Sequence, residues 1–346
     1  MTSTITTLSL AAMNPNIDWR QLGDIVARYS DDGELVILNY TAAAQYANRW
    51  NPYERVCRGL ILNTKTGEVV ARAYDKFFNW GDDAPSPKAH LAEVTEKLDG
   101  SMGILYRHHG QFYVATRGAF TSDQALWATD FLRRKYDLSR LPDRLTLLFE
   151  IIFAANRVII DYGSREDLVL IGVRDRITGG DWFMVRIKDL ARDYGFNTPN
   201  TFDTTDPSQF VEAAKSLTTN QEGYVLRFSD GKRFKIKGDA YLSLHRMKFA
   251  FSFNRILEAV QQKVDSDYIA ALPDDMQQEA LQYQQQIADK IKVVVSRITT
   301  EFSSAPKTSR KEFALWVNAN YPTDAAYLFA MLDGKDLLPY IYRIEF

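Results

Sequence analysis

From about residue 20 to residue 245, the apolar positions fall in short runs that read as β-strands. Leu35-Val36-Ile37-Leu38, Phe112-Tyr113-Val114-Ala115 and Leu168-Val169-Leu170-Ile171 are each bounded by Gly, Asp or Asn turn signals. Arg107-His108-His109-Gly110 is the connection of a predicted hairpin, and its two histidines read as solvated rather than as metal ligands. Two segments carry helical character instead, Asp123 to Tyr136 and Pro207 to Leu217. Near residue 247 the pattern changes. Glycine nearly vanishes, and Met276, Ala280, Tyr283, Ile287, Ile291, Val294 and Ile298 recur at three- and four-residue steps, one apolar stripe along a long helix. Pro306 is its latest end, and Ser309 followed by Glu312 predicts a capping box for the next helix. The expected fold class is α+β: a body of antiparallel sheets with helices over 1–246, then an all-helical domain over 247–346.

Composition narrows the function. The chain of 346 residues is 46% hydrophobic and 25% charged, ordinary values for a globular protein with a real core. A net charge of -2 gives no global pull toward nucleic acid, so any polyanion must meet local basic patches. The single cysteine, Cys57, excludes an intrachain disulfide and a multi-cysteine zinc site, and nothing marks it as a thiolate. No apolar run reaches the ~18 residues of a membrane span, and the first residues lack a basic signal-peptide start. A monomeric, cytoplasmic protein is expected.

Four segments carry candidate chemistry. Lys97 lies in Glu96-Lys97-Leu98-Asp99-Gly100. Lys-x-Asp-Gly alone arises by chance in roughly one chain in ten of this length, so a solvated lysine is the default reading of it in isolation. Glu222-Gly223-Tyr224-Val225-Leu226-Arg227-Phe228 and Lys232-Arg233-Phe234-Lys235-Ile236-Lys237 flank Asp230-Gly231, a hairpin signal. A two-residue turn at Asp230-Gly231 sets Tyr224 opposite Lys237 and Leu226 opposite Lys235. Glu222, Lys235 and Lys237 then share a face with Tyr224 and Leu226, while Val225, Phe234 and Ile236 take the other. Such a face suits a nucleoside triphosphate with its metal; the plainer alternative is a solvated hairpin with a chance ion pair. Glu150, inside Leu147-Leu148-Phe149-Glu150-Ile151-Ile152-Phe153, is too apolar in its flanks to be buried ionised without a partner, which points it at a polar site or a wet strand end. The fourth segment is Arg55 to Ile61 with Tyr74 to Trp80, whose aromatics read singly as core.

In order along the chain, these segments resemble the covalent nucleotidyltransferase superfamily of ATP-dependent ligases and capping enzymes, and most of all the T4-type RNA ligase 1 family. The resemblance runs from about Tyr53 to His245, on Cys57-Arg58-Gly59, Lys76-Phe77-Phe78-Asn79, Glu96 to Ser101, Phe149-Glu150, Glu222 to Val225 and Phe234 to Lys237. It implies a nucleotidyltransferase (ATP-grasp-like ligase) domain and an ATP-dependent RNA ligase, with ATP and Mg2+ (or Mn2+) as cofactors. Lys97 would form the phosphoramide with AMP. Glu150 and Glu222 would serve the ribose and the metal, and Lys235 and Lys237 would hold the α-phosphate and orient the leaving pyrophosphate. Arg58, Lys76 and Phe78 match family positions near the nucleotide, as do Glu96 and Gly100 beside the lysine. Arg117 stands where the family has a lysine. Asn156 and Arg157 fall beside the site without an assigned role. The strand Leu168 to Arg174 lacks the aromatic on which related ligases stack adenine, which implies an aliphatic contact.

The residue types suit this chemistry. A free lysine, with a pKa near 10.4, is protonated at neutral pH; neighbouring cations and burial, expected from Lys235 and Lys237, favour the amine. Phosphoryl transfer needs charge stabilisation and in-line placement more than acid–base groups, in keeping with a site of Lys, Arg and Glu. The implied acceptor is RNA with 5′-phosphate and 3′-hydroxyl ends, a tRNA anticodon loop or single-stranded RNA. A helical C-terminus in place of an OB-fold favours this over a DNA ligase or capping enzyme. A silent nucleotide- or RNA-binding protein is the alternative from another class, and retention of Lys97, Glu150, Glu222, Lys235 and Lys237 together argues against it.

Overall fold

The computed structural model describes residues 2–41, 44, 50–86, 88–203, 206–250, 252–270 and 274–346. The chain divides into two compact units, Met1–His245 and Arg246–Phe346. No described helix is long and apolar enough to cross a membrane.

The first unit holds three sheets. Strands β1 (Ile25–Tyr29), β2 (Leu35–Tyr40), β3 (Arg58–Asn63) and β4 (Val69–Ala71) form an antiparallel sheet in that order. The unbroken apolar run of β2 is explained by burial on both sides, because alternate side chains point to opposite faces. Val36 and Leu38 pack toward the helix Thr2–Ala12 with Leu8 and Val56, whereas Leu35 and Ile37 pack toward the second sheet with Ile104, Tyr106 and Leu148.

Among the next strands, β5 (Phe78–Asn79), β6 (Leu91–Lys97), β7 (Ser101–His108), β8 (Gln111–Ala115), β9 (Leu145–Ile152) and β10 (Asp167–Asp175), four make the second sheet, ordered β10-β9-β7-β8. The hairpin expected at Arg107 to Gly110 is present between β7 and β8, but its turn is only His109 (φ 47°) and Gly110 (φ 76°), with Arg107 and His108 in the strand. Helices Asp123–Lys135 and Met184–Tyr194 cover the outer face of this sheet, burying Ala128, Phe131, Leu132, Ile187 and Leu190 against Leu147, Phe149 and Ile151. Glu150 therefore belongs to the opposite face of β9, in line with Leu148 and Ile152.

With β11 (Thr201–Phe202), β12 (Gly223–Phe228) and β13 (Arg233–Lys237), strands β6 and β5 make the third sheet, ordered β11-β6-β12-β13-β5. Antiparallel pairing was expected throughout, but β13 pairs with β5 in parallel. Helix Pro207–Lys215 seals one face of this sheet, where Phe210 and Ala214 pack on Tyr224, Leu226, Phe228, Phe234 and Ile236.

The described elements of the second unit are helices. The long one, Asp274–Ser303, ends before Pro306, and its stripe feeds two cores. Ala280 and Ile287 join Ile256, Leu257 and Ile269, while Val294 and Ile298 join Phe313, Val317, Tyr327, Leu328 and Ile341. Ser309 caps the helix Arg310–Asn320 by accepting the Glu312 N–H. The Glu312 side chain meets Thr308 instead of closing the box.

Candidate active site

The hairpin that carries the lysines differs from its expected register. Gly223 faces Lys237, Val225 faces Lys235 and Leu226 faces Phe234. The loop has three residues, not two. Phe228 N–H donates to the Lys232 carbonyl at 2.9 Å, Gly231 N–H returns to the Phe228 carbonyl at 2.9 Å, and Gly231 takes φ 83°. A one-residue slip exchanges the faces of one strand relative to the other. Tyr224 and Leu226, expected beside the lysines, are buried in the core with Phe234 and Ile236, and Val225 takes their place on the open face. Lys235 and Lys237, two residues apart on one strand, keep a common face regardless.

The other side of β12 pairs with β6, setting Gly223 against Lys97, Val225 against Thr95 and Arg227 against Glu93. Three ladder rows therefore run across the sheet: Lys97-Gly223-Lys237, Thr95-Val225-Lys235 and Glu93-Arg227-Arg233. These side chains, glycine aside, form one wall of a cavity of about 730 Å³, within the size range of small-molecule sites. Glu222 precedes β12 and escapes the strand's alternation, since Gly223 has φ 149°. Its buried carboxylate bridges the two lysines of the first row: Lys97 Nζ donates to Oε2 at 2.7 Å, and Lys237 Nζ lies 3.0 Å from Oε1.

The facing wall comes from the second sheet, through Ser101, Met102, Glu150 and Ile171. Gly100 N–H donates to Glu150 Oε1 at 2.9 Å, and a Cβ on Gly100 would lie 2.5 Å from the Ile151 carbonyl, so this close approach requires glycine. Ile171 is the extra residue of a β-bulge between Leu170 and Gly172, a device that re-aims a side chain. It supplies an aliphatic surface in the strand that lacks an aromatic.

Asp99, buried behind Lys97, organises this region. Its Oδ2 accepts the N–H groups of Ile159 and Ile160, each at 2.7 Å, and its Oδ1 accepts the Tyr241 hydroxyl at 2.7 Å. The Asp99 N–H donates to the Tyr162 hydroxyl at 3.0 Å. Ser101 Oγ donates to Asn156 Oδ1 at 2.9 Å, and Asn156 Nδ2 to the Ile151 carbonyl at 2.7 Å. Asn156 thus supports the start of β7, while Arg157 pairs with Asp161 at 3.2 Å.

Arg58, Lys76, Arg117 and Lys235 also line the cavity, and none makes a salt bridge to a carboxylate among the described residues. Lys76 sits among the rings of Trp50, Tyr40 and Phe78, with its Nζ 4.8, 5.3 and 5.6 Å from their centroids. Arg117 Nη1 donates to the Tyr40 hydroxyl at 2.9 Å, and Arg58 Nη1 lies 3.1 Å from Met102 Sδ. Burial pushes the Lys76 ammonium below the ordinary lysine value, aided by Arg58 and Arg117. Lys235 is pushed down to about 7, by burial first and then by Lys76, Lys237, Lys97 and Arg58. An array of unpaired, partly dehydrated cations is a site for a polyanion.

Lys97 behaves otherwise. Burial works against its ammonium, but the carboxylates of Glu222 and Glu150 outweigh burial and hold its pKa above the ordinary lysine value. The expected depression by neighbouring lysines falls on Lys235 instead. Glu150 is raised to about 7, mainly by burial, against the pull of Lys97.

Lys97, Glu150, Lys235, Lys237, Arg58, Lys76, Arg117, Glu96 and Gly100 come together along this cavity, with Glu222 buried beneath. Phe77 lines it, whereas Phe78 is buried beside Lys76 and edge-on to Trp50. The Glu96 side chain accepts from Asn200 Nδ2 at 2.8 Å. Sequence reasoning overlooked Tyr40, Trp50, Tyr162 and Tyr241, which look like core aromatics. It also left Asp99 without a role, although Asp99 lies within the motif itself.

Comparison with known proteins gives a consistent picture. The chain matches a T4-type family model described as RNA ligase over residues 56–241. A protein of Autographa californica nuclear polyhedrosis virus, provisionally named a bifunctional polynucleotide kinase/RNA ligase, is 27% identical over 269 residues, covering 69% of this chain and 38% of that protein. A protein of Thermovibrio ammonificans, provisionally named an RNA ligase, is 31% identical over 218 residues, 58% of this chain and 55% of that one. The RNA ligase of Rhodothermus phage RM378 is 22% identical over 388 aligned positions, 88% of this chain and 86% of the phage protein. The chain spans well under two thirds of the length of the first two relatives.

Proposed function

Because this chain belongs to the T4-type RNA ligase 1 family, we propose that it joins RNA 5′-phosphate and 3′-hydroxyl ends at the expense of ATP, through AMP carried covalently on Lys97. The observation that carries the proposal is the ladder that sets Lys97, Lys237 and Lys235 on one wall, facing Glu150, with Arg58, Lys76 and Arg117 lacking a carboxylate partner among the described residues. A triphosphate supplies the anion those cations lack, and Ile171 and Val225 supply an aliphatic bed for adenine.

In the first step Lys97 gives up a proton to solvent, and its Nζ lone pair forms a bond to the α-phosphorus. The phosphorus–oxygen bond to pyrophosphate breaks, and pyrophosphate departs with the electron pair. Lys237 and Lys235 are positioned to neutralise charge on the phosphate oxygens and the leaving group. An RNA 5′-phosphate oxygen then displaces Lys97 from phosphorus. Finally an RNA 3′-hydroxyl attacks the adenylated 5′-phosphate and releases AMP.

Glu150 and Glu222 offer oxygen donors alone, the donor set of Mg2+ or Mn2+. Glu150 fits such an ion better, since its Oε2 has no hydrogen-bond partner among the described residues, whereas Glu222 must first release Lys97 or Lys237. The ion would draw charge from the phosphate oxygens and ease pyrophosphate departure.

The acceptor is proposed to be single-stranded RNA or a broken tRNA anticodon loop, with Arg246–Phe346 contributing to its selection. Some cations there are already paired, Arg297 with Asp324 at 3.0 Å and Arg310 with Asp333, whereas Lys292, Lys307 and Lys311 make no salt bridge among the described residues and are open to phosphates. The test is incubation with α-labelled ATP and Mg2+ or Mn2+, followed by denaturing electrophoresis. Wild type should carry label that pyrophosphate removes, and Lys97→Ala should carry none; label on Lys97→Ala would overturn the reading. Comparing a broken anticodon stem-loop, linear RNA and nicked DNA then identifies the acceptor.

A further inference from the structure

At the far end of β7, away from the cavity, two tight turns bring a second set of ligand groups together. One turn joins β1 to β2 and carries Asp32 and Glu34; the other joins β7 to β8 and carries His109, with His108 at the strand end. His108 Nε2 lies 2.6 Å from Asp32 Oδ2. His109 Nε2 lies 3.4 Å from the same oxygen and 3.3 Å from Glu34 Oε2. One ligand atom from each of the four residues falls within 4.8 Å of all the others.

The carboxylates are aimed. Asp32 Oδ1 accepts the Ser30 hydroxyl at 2.6 Å and the Glu34 N–H at 3.0 Å, which leaves Oδ2 for the imidazoles. Glu34 Oε1 is held by the Lys65 ammonium, which leaves Oε2. Outer partners that fix one oxygen and present the other are the usual support of metal ligands. A tetrahedral ion with bonds of about 2.0–2.1 Å separates its ligand atoms by about 3.3 Å. The separations of 3.4 and 3.3 Å meet that spacing, and the 2.6 Å contact opens by less than an ångström when an ion replaces the shared proton.

We propose that Asp32, Glu34, His108 and His109 form a binding site for a divalent transition-metal ion of the zinc class. The two imidazoles select against magnesium and calcium, which take oxygen ligands. This site is therefore chemically separate from Glu150 and Glu222. It is also remote, since Ser101 to His108 spans about 23 Å along β7. The His109 and Asp32 side chains are 64% and 40% exposed, so the ion exchanges with solvent. Bound there, it ties the first sheet to the second at the end opposite the cavity. The two sheets already share a core of Leu35, Ile37 and Tyr106, and the ion acts as a clip that stabilises their alignment.

The test titrates EDTA-stripped protein with Zn2+ by calorimetry and with Co2+ by visible absorption. Wild type should bind one ion per chain, show a tetrahedral cobalt band and melt at a higher temperature with Zn2+. His109→Asn, which removes a ligand, should bind more weakly by at least the roughly 10–100-fold that loss of an outer partner costs, and His108→Ala/His109→Asn should lose the band. Asparagine tolerates the left-handed backbone at position 109 (φ 47°), and the metal-free melting curve verifies that each variant is folded. Failure of wild type to bind Zn2+ saturably, or folded variants that bind as tightly as wild type, would overturn the site and leave an ion-pair cluster only.

Discussion

Lys97 and Lys237 share one carboxylate: Glu222 accepts the first at 2.7 Å through Oε2 and meets the second at 3.0 Å through Oε1. The proposed nucleophile therefore rests as a paired ammonium, its pKa held above the ordinary lysine value by Glu222 and Glu150 against the opposing effect of burial. Removing the Glu222 charge should tip that balance toward burial. Glu222→Gln is expected to shift the pH–rate profile of single-turnover Lys97 adenylylation to lower pH. Its plateau should fall by roughly 10–100-fold, the usual cost of losing a carboxylate that orders a metal or phosphate site. A profile that stays in place would show that Glu222 does not control the protonation of Lys97.

Lys235 gives the opposite behaviour, with its ammonium pushed down to about 7. At pH 8 the free protein holds this side chain largely neutral, and an adjacent phosphate favours the charged form, so pyrophosphate binding should take up a proton. Calorimetry in buffers of different ionisation enthalpy should detect the uptake in wild type and find it missing in Lys235→Met. The same shift carries a stability consequence. An unfolded lysine keeps its proton to about pH 10.4, so between 7 and that value the unfolded chain binds more protons, and folding weakens as pH falls. Lys235→Met should therefore melt a few degrees higher than wild type at pH 7 while losing adenylylation. An unchanged or lower melting temperature would contradict this.

Much of the site was legible because its signals are local. Lys235 and Lys237 share a face whatever their partner strand does, since alternation along one strand is fixed. Glu150 announced itself as a charge within an apolar strand. The pairing of β12 was not legible, because it turns on one residue of loop length: Ser229-Asp230-Gly231 closes as three residues, although Asp230-Gly231 alone reads as two. The charge state of Lys97 was misjudged for a related reason. Counting nearby lysines ignores that Glu222 leaves the strand's alternation at Gly223 and reaches Lys97 directly. Nor does spacing reveal Asp99, whose partners at Ile159, Ile160 and Tyr241 are distant in sequence.

Asp99 provides a test of positioning as distinct from chemistry. It touches neither cavity wall through its side chain, yet it accepts three buried hydrogen bonds two residues from Lys97. Asp99→Ala leaves two backbone N–H groups without an acceptor, at about 1–3 kcal/mol each, and leaves the Tyr241 hydroxyl with Glu222 alone. The variant should lose on the order of 3 kcal/mol or more in urea denaturation and form adduct slowly even where it is folded. Asp99→Asn keeps one acceptor oxygen and should fall between. Adduct formation at the wild-type rate in folded Asp99→Ala would separate this residue from the reaction.

Gly223 lies between Lys97 and Lys237 in the ladder, next to Glu222, whose carboxylate bridges the two lysines. A Cβ there would meet the Ile236 carbonyl oxygen at 1.9 Å, on a backbone with φ 149°. Since the obstacle is backbone, Gly223→Ala must push β12 and β13 apart or rotate the peptide that aims Glu222. Either response should lower the urea midpoint, since residues held in disfavoured backbone regions cost of order 1–3 kcal/mol. More specifically, it should withdraw Glu222 from Lys97 and move the adenylylation profile to lower pH, as Glu222→Gln does. If the two substitutions act through the same contact, Gly223→Ala/Glu222→Gln should shift the profile no further than either alone, since changes to one interaction do not add. Additive shifts would mean that the glycine serves packing of the hairpin and not the aim of the carboxylate.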